Sequence, residues 1–260
     1  GVELAGALGE IKRFTLQRDY HHISAQESRI ILIEASERIL STFDPKLSRK
    51  AEMQLNQLGV EIWTNSPVSD ISEGGVQISD KQVNAGTVLW AAGVKPSPLN
   101  EQLPGAKDKQ GRIHIDRDLT LPAARDIYVL GDQAHCPNEQ GEPLPGLAAV
   151  AIQQGRHAAK NILREVSGKS REKFHYLDKG QLATIGRNKA IMQLKEIKKS
   201  GFIAWLAWIV VHIYYLIGFR NRLIVLMQWA WHYFTYKHGA RLIVYKEWRS
   251  HHKPPRQEKS

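Results

Sequence analysis

A glycine and an acid at the end of an apolar strand, followed by a helix that carries amides, are the residues of this chain best placed to do chemistry. The run 127–132, IYVLGD, reads as a buried strand with Ile127, Val129 and Leu130 packed inward, stopping at Gly131 with Asp132 next to it. The end of such a strand is where an open α/β sheet presents polar groups to a ligand. A loop rich in Gly, Pro, Asn and Glu (136–147) leads into the helix-like run AAVAIQQGRHAAKNIL. Its small residues Ala148, Ala149 and Ala151 let the helix N-terminus approach something flat or anionic. Taken alone, these residues fit an ordinary strand–loop–helix unit equally well.

A second set stands at the start of the chain. Residues 1–19 read as a helix with an apolar face of Val2, Leu4, Ala5, Leu8, Ile11 and Leu16. The run Ile30, Ile31, Leu32, Ile33 then reads as a parallel strand buried on both faces, ending in Glu34. A glycine at a helix N-terminus, the helix, and a strand ending in an acid form the back half of a dinucleotide-binding unit. In that reading Glu34 accepts hydrogen bonds from the adenine ribose hydroxyls and favours NAD over NADP by repelling a 2′-phosphate. Gly1 stands where the last glycine of GxGxxG belongs, and the first two glycines are not in this chain. The acid also lies further on than the usual spacing of about 20 residues, the excess falling in the loop RDYHHISAQESR. Glu3, as a first-turn acid, is favoured by the helix dipole.

Composition narrows the classes. The chain has 260 residues, 42% of them hydrophobic, and a formal charge of +10, so it can hold a core and favours an anionic partner, nucleic acid or membrane. Long apolar, Trp-rich runs near the C-terminus favour the membrane over nucleic acid. The single cysteine, Cys136, excludes an intrachain disulfide, a CxxC redox pair and a Cys-rich metal site, and no metal is expected. The His135-Cys136 pair reads as structural. No signal peptide is visible, and the chain begins with Gly rather than Met.

Between these sets the pattern predicts a helix over 44–58, opened by Asp44-Pro45 and closed by Gly59. A strand VEIWTN, a hairpin turning at Gly74-Gly75, and a buried strand Val88–Trp90 ending in Ala91-Ala92-Gly93 follow. Ile113 and Ile115 alternate as in a half-buried strand. Near residue 180 the pattern gives a DKG turn, a strand Leu182–Ile185 and a turn at Gly186-Arg187. Two apolar runs come next, 201–219 and 223–236, separated by the cationic turn Arg220-Asn221-Arg222 and followed by a basic tail with Lys237, Arg241, Lys246, Arg249 and Lys253. A spanning helix, a pair of in-plane helices and a buried core helix all compete. The clustering of Trp205, Trp208, Trp229 and Trp231, the one-sided placement of Gln228, His232 and Thr235, and the basic flanks favour the in-plane pair, with spanning second.

With these motifs in place, the chain resembles the two-dinucleotide-binding-domain flavoproteins, and within them the type II NADH dehydrogenases. Gly131-Asp132 and the following helix look like that family's second flavin-binding motif, and 174–194 and GFRNRLIVLMQWAWHYFTYKHGARLI resemble its C-terminal segments. The resemblance implies an α/β, Rossmann-like flavoprotein, N-terminally truncated, with amphipathic C-terminal membrane-docking helices. It implies Gly131 and Asp132 at the ribityl and pyrophosphate part of FAD, and Ala149, Val150 and Gln153 at the flavin and quinone. Ala149 replaces the first glutamine of the family's AQxxxQ helix. Glu3 is implied beside the nicotinamide, Ala92 and Gly93 between the cofactors, and Lys179 as a cation near the flavin or quinone headgroup, although a solvated turn lysine reads as well.

The implied division is 1–92, partial NAD-binding domain; 93–165, returning part of the FAD domain; 166–200, flavin- and quinone-side segment; and 201–260, membrane anchor and tail. The implied reaction takes hydride from NADH to FAD and then two electrons to a membrane quinone, without proton pumping. A redox-inactive, membrane-docking nucleotide-binding module, or a flavin-dependent reductase with another acceptor, are the alternatives. The implied location is the cytoplasmic face of a bacterial inner membrane, against an anionic surface, with no nucleic acid partner and a homodimer left open. The 260 residues alone are expected to hold FAD poorly and to be inactive, the complete protein to be active.

Overall fold

The computed structural model describes residues 1–16, 28–216 and 218–235. The end of the first expected helix, most of the 18–29 loop and the basic tail lie outside the described residues. The chain divides into two compact units, Val2–Val68 with Leu182–Ser260, and Ser69–Gln181 with Gly1.

The first unit is built on a β–α–β crossover. Strands Ile30–Ile33 and Val60–Trp63 pair in parallel, with Ile30 opposite Val60, and the helix Pro45–Gln57 joins them. Two parallel strands need such a crossover. The helix starts as its sequence predicts: Pro45 opens it, and the Asp44 carboxylate accepts the Lys46 N–H at 2.8 Å. Gly59, at φ +79°, stops it. Leu47, Ala51 and Leu55 turn into a core shared with Val2, Ile39, Val60, Ile185 and Ile191. Ile30–Ile33 is half-buried rather than buried on both faces. Among the described residues it has a neighbour on one side only.

An antiparallel sheet follows in the order Gln181–Gly186, Lys189–Leu194, Ile197–Ser200. Its first turn sits at Arg187-Asn188, one residue past the expected place, because Asn188 takes the left-handed conformation, φ +62°. The helix Val2–Glu10 lies directly on the first of these strands. A Cβ added to Gly6 would stand 1.7 Å from the Ile185 carbonyl oxygen. That approach corrects the expected apolar face: Val2, Ala5, Gly6 and Gly9 are buried, while Leu4 and Ile11 are exposed. Backbone contact selects the small side of the helix and turns the large side chains outward.

The second unit holds the antiparallel set Val68–Ser72, Gly75–Ile78, Lys81–Asn84, whose first turn falls at Glu73-Gly74, one residue before the expected Gly74-Gly75. Ile113–His114 pairs in parallel with Ala134–His135, and Thr120–Leu121 pairs antiparallel with Ala124–Tyr128. The IYVLGD strand therefore stops its ladder at Tyr128 and runs antiparallel, since a two-residue connection from Leu121 to Ala124 permits nothing else. Val129 is still buried, and Ile127 and Leu130 pack against the same core. The helix Ala148–Val166 covers that core with Ala158. Val88–Trp90 forms no strand: Leu89 and Trp90 are 54% and 62% exposed. No strand among the described residues pairs with them, so they gain neither ladder bonds nor a packing face.

The apolar run 201–219 is not one helix. Phe202–Tyr215 ends before Gly218, φ +81°, and Phe219–Thr235 begins anew. Ala204 is buried, and Trp208 stacks on Trp229 at 5.6 Å with 9° between the rings. Ile203, Leu206, Val210 and Tyr214 on one helix, and Phe219, Leu223, Met227 and Trp231 on the other, are exposed. That overturns the buried-core-helix reading. No helix among the described residues is long and apolar enough to cross a membrane. Gln228 is exposed; the side chains of His232 and Thr235 lie outside the described residues.

The close approach at Gly6 has a measurable consequence. Gly6→Ala is expected to lower stability by about 1–3 kcal/mol, because the strand must move away. Gly155→Ala, where a Cβ meets nothing within 4 Å in mid-helix, is expected to raise it by roughly 0.5–1 kcal/mol. Thermal unfolding followed by circular dichroism checks both, and a neutral Gly6→Ala would contradict the contact.

Candidate functional site

In the Ser69–Gln181 unit, Leu130 arrives extended and Gly131 turns the chain at φ +66° into the tight turn Gly131–Gln133. Glycine takes that conformation at least cost, and a Cβ there would also stand 3.2 Å from the Ala151 Cβ. The Gly131 N–H donates to Gln154 Oε1 at 2.7 Å, and Gln154 is buried. From below, buried Asn100 donates to the carbonyls of Gly111 and Gln133 at 3.1 and 2.9 Å. Asp132 is left exposed, and Gly146 leaves room for it, since a Cβ there would lie 3.1 Å from Asp132 Oδ1. Sequence reasoning missed both Asn100 and Gln154. Nothing around Asn100 marks it, whereas Gln154 is the second amide of a Gln-Gln pair on an otherwise small-residue helix turn.

The helix Ala148–Val166 opens at Leu147, which offers no side-chain cap. The first-turn N–H groups of Ala148 and Ala149 have no intrahelical acceptor and carry the positive end of the helix dipole. Ala148 is exposed and Ala149 half-buried, so this end accepts a flat or anionic group. Val150 turns its side chain into the core and its N–H bonds to the Leu147 carbonyl. Gln153 grips the Leu177 backbone: Nε2 donates to its carbonyl and Oε1 accepts its N–H, both at 3.0 Å. Lys179 follows in an exposed turn closed by the Gly180 N–H on Asp178 Oδ1 at 2.8 Å. Gly131, Asp132, Ala149, Val150 and Gln153 thus meet around one helix turn, with Lys179 two residues from Leu177. Ala92 and Gly93 are exposed; Gly93 sits at φ +97°, and a Cβ there would meet nothing.

In the other unit Glu3 is exposed and its carboxylate accepts the Thr184 N–H at 3.1 Å. Glu34 ends its parallel strand as expected. Its N–H donates to the Trp63 carbonyl at 2.8 Å, and its half-buried carboxylate accepts the Ser36 N–H at 2.9 Å. Two carboxylate lone-pair sites per oxygen leave acceptors for sugar hydroxyls. Gly1 is exposed at the start of the helix.

The remaining titratable groups beside the turn are structural. Burial pushes the Cys136 thiol up to about 11, against weaker opposing effects of Gln154 and Arg117. Burial also opposes ionisation of Asp108, but hydrogen bonds from His135, Arg112 and two backbone N–H groups outweigh it and hold the carboxyl below its usual range. No group among the described residues could hold a metal ion.

Residues 1–155 match the family model described as pyridine nucleotide-disulphide oxidoreductase, and residues 179–238 that of the NDH2 C-terminal domain. The chain is 34% identical over 256 residues to the type II NADH:quinone oxidoreductase Ndh of Mycobacterium tuberculosis, covering 94% of this chain and 54% of that protein. It is 32% identical over 248 residues to the internal alternative NAD(P)H-ubiquinone oxidoreductase A1, mitochondrial, of Arabidopsis thaliana, covering 88% and 48%. The fold is similar to that of NDH2 from Plasmodium falciparum in complex with NADH, with a TM-score of 0.80 at 16% identity over 90% of this chain and 64% of that one. It is also similar to that of the sulfide:quinone oxidoreductase of Aquifex aeolicus, with a TM-score of 0.65 at 15% identity over 91% and 59%. The chain spans about half the length of the curated relatives it matches.

Two outcomes follow from the electrostatics. With its thiol near 11, Cys136 is almost wholly protonated at pH 8, so iodoacetamide is expected to leave it unmodified in the folded protein and to alkylate it in urea. Rapid labelling of the native chain would contradict the burial. Asp108 is more acidic folded than unfolded, so its contribution is complete above the unfolded value near 4 and fades as the pH falls further. Asp108→Asn is therefore expected to flatten the acid limb of the stability–pH curve, read by urea unfolding between pH 6 and pH 3; an unchanged slope would contradict it.

Proposed function

We propose that this chain, which belongs to the pyridine nucleotide-disulphide oxidoreductase family and within it to the type II NADH dehydrogenases, carries the nucleotide-binding, flavin-facing and membrane-docking parts of an NADH:quinone oxidoreductase. The observation that carries this reading is the uncapped N-terminus of Ala148–Val166 beside the left-handed Gly131 and exposed Asp132. Backbone N–H groups, small side chains and an acid that can accept sugar or ribityl hydroxyls are the donor set that a flavin dinucleotide requires. FAD, when bound, supplies the hydride acceptor and the two-electron carrier.

The chain's own residues bind and orient. Gly131 lets the backbone come close, Asp132 accepts hydroxyl groups, and Ala148 and Ala149 offer backbone N–H groups to the flavin, with Val150 next to them anchoring that turn. Ala92 and Gly93 leave space where a side chain would intrude. Glu34 accepts the adenine ribose hydroxyls of NAD, and Glu3 stands at the nicotinamide side with Gly1 before it. Lys179 stabilises negative charge that develops on reduction of flavin or quinone, and Gln153 holds the segment that carries it.

The helices Phe202–Tyr215 and Phe219–Thr235 are proposed to lie in one leaflet, their exposed Leu206, Val210, Leu223 and Met227 among the acyl chains and exposed Arg220 at anionic headgroups. Quinone then enters from the lipid. The proposed side is the cytoplasmic face of a bacterial inner membrane, where NADH is available.

Two measurements check this. The chain is expected to co-sediment with phosphatidylglycerol vesicles, and Leu206→Asp with Met227→Asp to weaken that binding at least about tenfold; equal binding of the double variant would remove the docking face. In the FAD-loaded enzyme, Glu34→Gln is expected to lower the preference for NADH over NADPH by about 10–100-fold, the worth of a charged hydrogen bond plus the lost repulsion. An unchanged ratio would place the adenine ribose elsewhere.

A further inference from the structure

We propose that the adjacent amides of Gln153 and Gln154 form a double clamp, one pinning the Leu177–Gly180 segment and the other the Gly131–Gln133 turn to a single helical turn. The clamp fixes Asp132 and Lys179 relative to the helix N-terminus, and its functional meaning rests on the reading of that terminus as the flavin side. Neighbouring helix residues point about 100° apart, so two consecutive side chains reach two different segments.

Gln153 makes both of its bonds to one residue, Leu177, at 3.0 Å each. This is the two-bond pattern of an antiparallel strand pair, with a side-chain amide in place of one strand. A glutamine amide has two donor hydrogens and two acceptor lone pairs. The clamp occupies one of each, so the remaining N–H and lone pair are fixed in the amide plane and directed away from Leu177. Burial does not hold this segment. Phe174 is buried, but Leu177 is 62% exposed, and Asp178 and Lys179 are exposed too. The turn closed by Asp178 and Gly180 sets local shape, not position.

Gln154 does the complementary work inside. It is 1% exposed, and its Oε1 accepts the Gly131 N–H at 2.7 Å. The Cys136 thiol is buried too, and the Gln154 amide opposes the upward shift that burial imposes on it. A buried amide is costly unless paired, and its pairing here is to the turn that presents Asp132. Gln153 and Gln154 are thus positioning residues that act through Leu177 and Gly131.

Amide hydrogen exchange on the full 260-residue chain tests the clamp without any ligand. Gln153→Met is expected to speed exchange of the Leu177 N–H at least about tenfold and to leave Gly131 unchanged, and Gln154→Met to do the reverse. Gln153→Glu keeps the acceptor and is expected to restore protection at Leu177. Gln154→Glu serves the same comparison at Gly131 should the Met variant not fold. Unprotected Leu177 and Gly131 amides in the parent chain, or equal loosening of both segments by either variant, would overturn the clamp. A separate FAD fluorescence titration of the longer enzyme carrying this chain reads the flavin side: protection patterns as stated with no quenching there would overturn the flavin reading while leaving the clamp in place.

Discussion

The hydrogen bond from the Gly131 N–H to Gln154 is the constraint on which the part of this protein proposed to face the flavin depends. The chain leaves its ladder at Tyr128, takes a left-handed turn at Gly131, and has no strand neighbour to accept that N–H. A buried side-chain amide from the covering helix does so instead. Once that bond forms, the turn and the helix cannot slide past one another. The small residues at the helix start, the uncapped N–H groups and the exposed acid then face the same side as a consequence. The site is a set of backbone groups, and side chains mainly hold backbone in place.

The other unit rests on a similar economy. Glu3, Gly6 and Glu10 lie three and four apart, on one face of their helix. Glu3 accepts the Thr184 N–H, the Gly6 backbone meets the Ile185 carbonyl, and Glu10 accepts the Arg187 N–H at 2.5 Å. Arg187 in turn donates to the Tyr233 carbonyl and stands 4.6 Å from that ring's centroid. The helix proposed to open the nucleotide side is therefore tied, through one strand and one cation, to the helix proposed to lie in the membrane. Glu3 has two uses at once, a backbone anchor and the proposed neighbour of the nicotinamide.

Much of this was legible from residue types. Asp44-Pro45 and Gly59 bounded their helix because caps and stops act locally. Glu34 ended its strand because four consecutive branched residues favour pairing, and the acid after them turns to accept a local backbone N–H, that of Ser36. The break in 201–219 was not legible: apolar content alone does not say that Gly218 turns left-handed. The face of the first helix was misread because hydrophobicity ranks Leu4 above Gly6, whereas close packing on a strand ranks them the other way. Val88–Trp90 was read as a buried strand from composition, but a strand needs neighbours and the described residues supply none. Asn100 had no motif to betray it and Gln154 only its place in a Gln-Gln pair; their roles come from segments distant in sequence.

Residues around Gly131 and Ala148 are proposed to serve a flavin reduced by NADH and reoxidised by quinone. The most direct measurement is anaerobic stopped-flow of the FAD-loaded enzyme carrying this chain, following flavin absorbance on mixing with NADH and then with a short-chain quinone. The account predicts bleaching by NADH, then recovery with quinone, and a slower recovery when Gln153 is changed to Ala. Bleaching without recovery by quinone would contradict the quinone assignment, and no bleaching at all would contradict reduction of the flavin by NADH.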